Sequence, residues 1–258
     1  MVEAICHCVS LSIPYFILGK GSNCLFDDRG FNGMIIHNKI HFMTFDSFGN
    51  FHAGAGYSFS LLGIQTARKG WSGLEFASGI PGSVGGAVFM NAGANGSETC
   101  QCLESIDYID ENGSFQTLDA RKLKFGYRYS EFQTMKGAIV GATFKLTPSE
   151  EARKKQIDIV NYRSRTQPYH EKSAGCIFRN PDCKHAGKLI ESNQLKGIQI
   201  GGAKISEIHA NFIVNTGNAS SKDVIKLVQF IQETIKKNEG IELQNEVRYI
   251  PFLEESHD

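Results

Sequence analysis

The sequence predicts an α+β protein in two lobes. Short apolar runs separated by glycine and asparagine turns crowd the first half, so strands follow one another in quick succession there. Charged, amphipathic helical periodicity begins at 149–165 and returns at 186–195 and 221–238. Composition shifts between these regions at Thr147-Pro148, and a chain of 258 residues can bury two cores rather than one. The expected domains are 1–147 and a smaller 148–241, followed by a strand and tail over 242–258.

Taken in order, residues 2–11 carry apolar positions at helical spacing and lead into an apolar strand over 14–18 that ends at Gly19. Cys24-Leu-Phe26 and Met34-Ile-Ile36 read as further strands, parted by the turn Asp27-Asp-Arg-Gly30 and by Asn32-Gly33. Short strands lie around Gly49-Asn50 within 41–57, and 58–69 reads as a helix. Residues 106–109 and 114–118 flank Asn112-Gly113, a hairpin turn signal. A strand over 138–146 closes at Pro148, and Ser149 is a natural N-cap for the helix that follows. Beyond it, 197–202 and 211–215 read as extended, and 240–252 forms a strand-like tail.

Composition excludes several classes. Lys plus Arg equals Asp plus Glu at 27 each, so no basic face is advertised for nucleic acid or anionic lipid. Cys6, Cys8, Cys24, Cys100, Cys102, Cys176 and Cys183 are odd in number and lack framework spacing, which fits a reducing, cytoplasmic setting. Cys6-His7-Cys8 and Cys183 with His185 lack the paired C-x2-C spacing of a structural zinc site, so no metal is expected. The apolar run 13–18 is broken by Pro14 and is far too short to span a bilayer. No membrane, nucleic-acid or obligatory protein partner is expected.

The run from Gly73 to Gly96 contains seven glycines in 24 residues, yet Ile80, Pro81, Val84, Ala87, Val88, Phe89 and Met90 keep it largely apolar. Glycine suits places where φ is positive or where a side chain would hold a ligand away from the peptide amides. A flat, phosphorylated ligand such as a flavin nucleotide meets that description. Gly19-Lys20-Gly21-Ser22-Asn23 follows an apolar strand and resembles the opening of a dinucleotide fingerprint. Cys24 stands near the place of the third glycine, and short strands follow instead of a long helix, which disfavours a Rossmann unit. A nest of backbone amides for a diphosphate and an ordinary strand-end turn both remain open for this segment.

Three further features bear on chemistry. Arg128 lies between Tyr127 and Tyr129, where stacking would hold a planar, bidentate cation suited to an enolate or carboxylate, or simply make a surface cation–π contact. Cys176 sits behind a small-residue turn in Ser173-Ala-Gly-Cys-Ile-Phe-Arg-Asn-Pro181, as a proton donor, a nucleophile or a small buried hydrophobe. Glu246 alternates into an apolar strand, either solvated at an edge or deliberately placed.

Taken together, Gly19-Lys-Gly-Ser-Asn23, Gly79-Ile-Pro-Gly-Ser-Val-Gly-Gly-Ala87, Asn91-Ala-Gly93, Tyr127-Arg128, Ala174-Gly-Cys-Ile-Phe-Arg-Asn-Pro181, His209-Ala-Asn211 and Glu246-Val-Arg248 occur in an order that resembles the UDP-N-acetylenolpyruvoylglucosamine reductase family. The resemblance covers nearly the whole chain, and the short spacing from Leu146 to Ala174 is similar to the family's type II form. It implies an FAD-binding domain of the vanillyl-alcohol-oxidase type followed by a substrate domain. It also implies a hydride relay from NADPH through FAD to UDP-N-acetylglucosamine enolpyruvate, yielding UDP-N-acetylmuramate for peptidoglycan. Under the same resemblance Arg128 and Glu246 stabilise the enolate, and Cys176 protonates the α-carbon. Gly19, Lys20, Gly21, Ser22 and Asn23 would hold the flavin, together with Gly79, Ile80, Pro81, Gly82, Ser83, Gly85, Gly86, Asn91, Ala92 and Gly93. Tyr127, Arg179, Asn180, Lys204 and His209 would hold the nucleotide-sugar.

Two departures from the family pattern carry expectations. Cysteine stands at 176 where serine is the familiar donor, and a thiol should still donate. The family usually begins earlier, with a strand and a Gly-Gly turn, whereas this chain enters at the helix before Pro14, so weakened FAD binding is expected. The rival readings are another oxidase of the same flavin fold and a flavin-free nucleotide-sugar binding module. Covalent attachment of FAD through histidine, common among such oxidases, has no histidine in either glycine-rich motif.

Overall fold

Helix α1 (Val2–Ser10) presents Ile5 and Cys8 inward, as the spacing of its apolar residues requires. In the computed structural model, which describes residues 1–182 and 184–254, this helix opens the first of two compact units. The first unit comprises 1–20 and 33–163, the second 21–32 and 164–258. Packing thus groups the chain differently from the segments 1–147, 148–241 and 242–258. The helix after Pro148 begins with the first unit, and the segment 21–32 packs with the second.

The first unit is built on a five-stranded antiparallel sheet in the order 115–119, 103–110, 137–145, 50–54, 43–45. The central strand Gly137–Lys145 is buried at most positions because it has neighbours on both sides and is covered on both faces. On one face Phe51, Phe59, Leu62, Leu74, Ile106 and Phe144 form the main core, to which helix α2 (Phe59–Arg68) contributes Phe59 and Leu62. On the other, Ile109, Ala138 and Val140 pack with Ile5 of α1 and with Tyr15, Ile17 and Ile36. The last three belong to the parallel pair Tyr15–Leu18 and Met34–His37. Helix α3 (Val84–Met90) lies within the glycine-rich run, to which the sequence reading assigns no helix.

Asn112-Gly113 does not form a two-residue turn. Asp110 Oδ1 accepts from the amides of Asn112 and Ser114, each at 2.9 Å, and this draws 110–114 into a longer loop with Gly113 at φ +80°.

Helix α4 (Ala152–Thr166) leads into the second unit. Here an antiparallel sheet runs in the order 172–176, 212–215, 203–205, 199–200. Helices α5 (Ala186–Ser192) and α6 (Ser221–Glu239) cover it, burying Leu189, Ile190, Leu227, Ile231 and Ile235. Reciprocal bonds between Ser220 and Asp223 start α6, and Gly240 at φ +68° ends it. Asp28 adds a second cap: both its oxygens accept the Ser221 amide at 2.9 Å, and one also accepts the Ser221 hydroxyl. A carboxylate at a helix N-terminus also meets the positive end of the dipole. The segment 21–32 is tied again where Cys24–Phe26 pairs in parallel with Arg248–Ile250.

Candidate active site

In the first unit the two glycine-rich motifs meet. A side chain at Gly19 would lie 2.3 Å from Ser83 Oγ, so these two positions are in close backbone approach. Ser83 is the N-cap of α3, its hydroxyl accepting from the Gly86 amide at 3.3 Å. Gly19 and Lys20 also line an open cleft of about 440 Å³ with His37, Lys39, His41 and Gly56. Two lysines and two histidines around a glycine-edged cleft suit a diphosphate.

The predicted cradle divides by role. Gly79, at φ +87°, donates its amide to Ser60 Oγ at 2.8 Å, and Ile80, Pro81 and Gly82 lead from it to α3. The amides of Val84 and Gly85 donate to Tyr57 O and Ala55 O, each at 2.9 Å. A Cβ at Gly85 would meet Ala55 Cβ at 2.9 Å. Gly85 therefore lets α3 press onto Ala55, whereas a Cβ at Gly86 would meet only Ser83 Oγ, at 3.4 Å. Asn91, fully buried and left-handed at φ +43°, caps α3. Its side chain donates to Gly126 O at 2.9 Å and accepts from the Cys100 amide at 3.0 Å. Ala92 O receives the Thr99 hydroxyl at 2.7 Å, and Gly93 pairs with Glu98.

The Asn91 contact to Gly126 steadies the hairpin that carries Arg128. Phe125–Gly126 and Tyr129–Ser130 pair across Tyr127 and Arg128, and Arg128 takes φ +56°. A non-glycine residue there is strained and persists because its surroundings hold it. Ser130 Oγ donates to Phe89 O at 2.6 Å, while Gln133 Nε2 donates to Arg128 O and Phe89 O at 3.1 Å each. The Arg128 guanidinium lies 5.1 Å from the Tyr127 ring centroid, a cation–π arrangement. Tyr127 itself is about half exposed.

The second unit gathers most of the remaining predicted residues into one backbone junction. Strand Lys172–Cys176 pairs with Phe212–Asn215 through a register shift between Ser173 and Cys176, with Gly175 at φ +80°. Immediately beyond it, Ile177 O accepts the Glu246 amide at 2.7 Å, and the Arg179 amide donates to Gln244 O at 2.9 Å. Asn23 closes the far side: its side chain donates to Glu246 O at 3.2 Å and its carbonyl accepts the Arg248 amide at 3.1 Å. Ser22 O lies 3.8 Å from where a Cβ on Gly175 would stand. Cys176, Arg179, Glu246 and the segment Gly21–Asn23 are thus brought together. Arg179 Nε is buried and unpartnered among the described residues, and Asn180 Oδ1 accepts the Ala186 amide at the start of α5.

Lys204 lies on strand 203–205 of the same sheet, and His209 stands beside Phe212, the strand partner of Cys176. Lys204 pairs with Glu207 at 3.1 Å, and His209 Nδ1 accepts the Asn211 amide while its ring stands 4.9 Å from that of Phe212. Sequence reasoning names Asn211 and Arg248 only within motifs and gives neither a role; Asn211 bonds the Phe178 backbone twice, and Arg248 stands opposite Cys24 in the parallel pair. Burial pushes the Cys24 thiol up and the Arg248 guanidinium down, each opposed by the charge of the other. A polar residue among apolar strand positions was the available signal for both. Cys183 lies outside the described residues.

A family model described as an FAD binding domain matches residues 1–119, and one described as the UDP-N-acetylenolpyruvoylglucosamine reductase C-terminal domain matches 167–250. UDP-N-acetylenolpyruvoylglucosamine reductase of Protochlamydia amoebophila (strain UWE25) is 60% identical over 252 residues, covering 98% of this chain and 84% of that protein. The Chlamydia muridarum (strain MoPn / Nigg) protein of the same name is 52% identical over 240 residues, covering 93% and 81%. The crystal structure of the Thermus caldophilus UDP-N-acetylenolpyruvylglucosamine reductase superposes with a TM-score of 0.83 at 37% identity, covering 97% of this chain and 90% of that one. The α+β fold is that of a flavin-dependent oxidoreductase, and its cofactor is FAD. Within that class, the chain belongs to the UDP-N-acetylenolpyruvoylglucosamine reductase family.

Proposed function

We infer that the protein uses NADPH and FAD to reduce UDP-N-acetylglucosamine enolpyruvate to UDP-N-acetylmuramate, supplying peptidoglycan precursor for the cell wall and hence for cell shape and division. Family membership supports the substrate. The observation that carries the residue assignment is the Ile177 O to Glu246 N bond at 2.7 Å, which ties the segment of Cys176 to that of Glu246. FAD, when bound, carries hydride from NADPH to the enolpyruvyl β-carbon. Arg128 is assigned to the negative charge then left at the α-carbon, where its planar fork stays charged and two-pronged. Glu246 is assigned to the same charge, and the Cys176 Sγ proton goes to the α-carbon.

Lys20 is assigned to the flavin diphosphate, and residues 19–23 and 79–93 are assigned to the cofactor. Residues 1–147 would supply the flavin domain, 148–241 the substrate domain, and 242–258 the returning segment with Glu246. Tyr127, Arg179, Asn180, Lys204 and His209 are assigned to the nucleotide-sugar. Six free cysteines among the described residues support a reducing, cytoplasmic setting. Among those residues, no helix is long and apolar enough to cross a membrane.

The test is spectroscopic. The purified protein is expected to be yellow, to bleach with NADPH, and to regain flavin absorbance anaerobically on adding UDP-N-acetylglucosamine enolpyruvate. A flavin that NADPH reduces but the enolpyruvyl sugar leaves reduced would overturn this function.

A further inference from the structure

The side chain of Asn211 is buried, at 3% exposure, and fully engaged beside the Cys176 segment. Its Oδ1 accepts the Phe178 amide at 3.0 Å and its Nδ2 donates to Phe178 O at 2.8 Å. One carboxamide thereby satisfies both polar groups of a buried residue, as a neighbouring strand would. Its own carbonyl accepts the Ile177 amide at 2.9 Å.

The need for such a side chain follows from the register shift. Ser173 pairs with Val214 and Cys176 with Phe212, so the ladder is already disrupted where the thiol stands. Beyond Cys176 the chain turns toward 244–247, where Phe178 bridges Asn245 and Ile177 O accepts the Glu246 amide. Asn211 extends the interrupted ladder from one side while 244–246 holds the other. Residues 177–179 are pinned between them.

We propose that Asn211 is a positioning residue for proton delivery, fixing the backbone that sets Cys176 against Glu246; this rests on the reading of Cys176 as the proton donor. It moves no proton itself. Losing the carboxamide leaves a buried N–H and C=O without partners and frees the link that joins the two segments.

The experiment uses the FAD-loaded enzyme and its Asn211→Asp and Asn211→Leu variants. Asp keeps an acceptor for the Phe178 amide but sets a carboxylate oxygen against Phe178 O, whereas Leu removes both partners without adding charge. Both variants are expected to retain FAD and to be reduced by NADPH at the wild-type rate. Reoxidation by saturating UDP-N-acetylglucosamine enolpyruvate should slow about tenfold in both variants. Amide hydrogen exchange, measured without substrate, should quicken in peptides covering 176–180 and 244–247 and stay unchanged elsewhere in the second unit. Quickened exchange with wild-type reoxidation would overturn the proposal, as would equal loss of both half-reactions in Asn211→Asp. A wild-type enzyme that the enolpyruvyl sugar cannot reoxidise would instead remove the functional reading beneath it, a distinguishable result.

Discussion

A thiol at position 176 separates two roles that a hydroxyl would share. Serine and cysteine both donate a proton, but the thiol is intrinsically the more acidic and the weaker hydrogen-bond donor. Cys176→Ser should therefore keep turnover, whereas Cys176→Ala should permit flavin reduction by NADPH and lose about 10²-fold or more in reoxidation by substrate. Full turnover in the alanine variant, measured by stopped-flow, would remove Cys176 from the chemistry. Arg128 illustrates a different single-residue constraint. Its left-handed backbone at φ +56° is held by bonds from Gln133 and, through Gly126, from Asn91. The side chain attributed to charge stabilisation thus stands on a strained turn that its neighbours maintain.

Among the secondary-structure elements, helix α3 carries the sharpest expectation. Gly19 has no room for a Cβ beside Ser83 Oγ, and that hydroxyl caps the helix. Gly19→Ala should displace the cap and lower both stability and FAD content, while Ser83→Ala alone should cost about 1 kcal/mol as a lost N-cap. In the double variant the next nearest atom, Ser83 Cβ, lies at an ordinary 3.5 Å. The two effects should therefore add to less than their sum in a double-mutant cycle by denaturant unfolding; strict additivity would mean that the contact is not the source of the Gly19 constraint.

The same helix shows where the sequence was opaque. Strands such as Gly137–Lys145 and helices such as α2 and α6 were legible because apolar spacing, caps and glycine stops agree. Two glycines in its first turn concealed α3, since glycine is a poor helix former. Contacts of that turn with Ala55 and Tyr57 outweigh the propensity. Lys172–Cys176 lacks the apolar alternation that marks a strand, and pairing with Phe212–Asn215 makes it one. The motifs of the candidate site were visible in order along the chain. Their meeting at Gly19 and Ser83, and at Ile177 and Glu246, comes from long-range pairing that no local pattern encodes.

For the whole molecule, acid is the most direct probe of how the second unit is fastened. Asp27 accepts from Arg29 and from the Tyr249 hydroxyl at 2.6 Å, and the Arg29 hydrogen bonds, above all, hold its carboxyl well below the usual range. A depressed folded-state pKa adds stability above the unfolded value of about 3.9, and that contribution is lost as pH falls through the folded pKa. Asp27→Asn should thus lower the melting temperature at pH 7, with the difference from wild type shrinking as the pH is taken below about 4. A difference that persists undiminished at the acid end would assign the effect to packing.

The parallel pairing of Cys24–Phe26 with Arg248–Ile250 has a consequence for how the protein is made. Residues 21–32 are made first, and their partner strand follows more than two hundred residues later. Asp28 likewise waits for the start of α6 at Ser221. The second unit is therefore finished only after Arg248–Ile250 has been made, and until then its earliest segment is an unpaired strand in need of protection from other nascent chains.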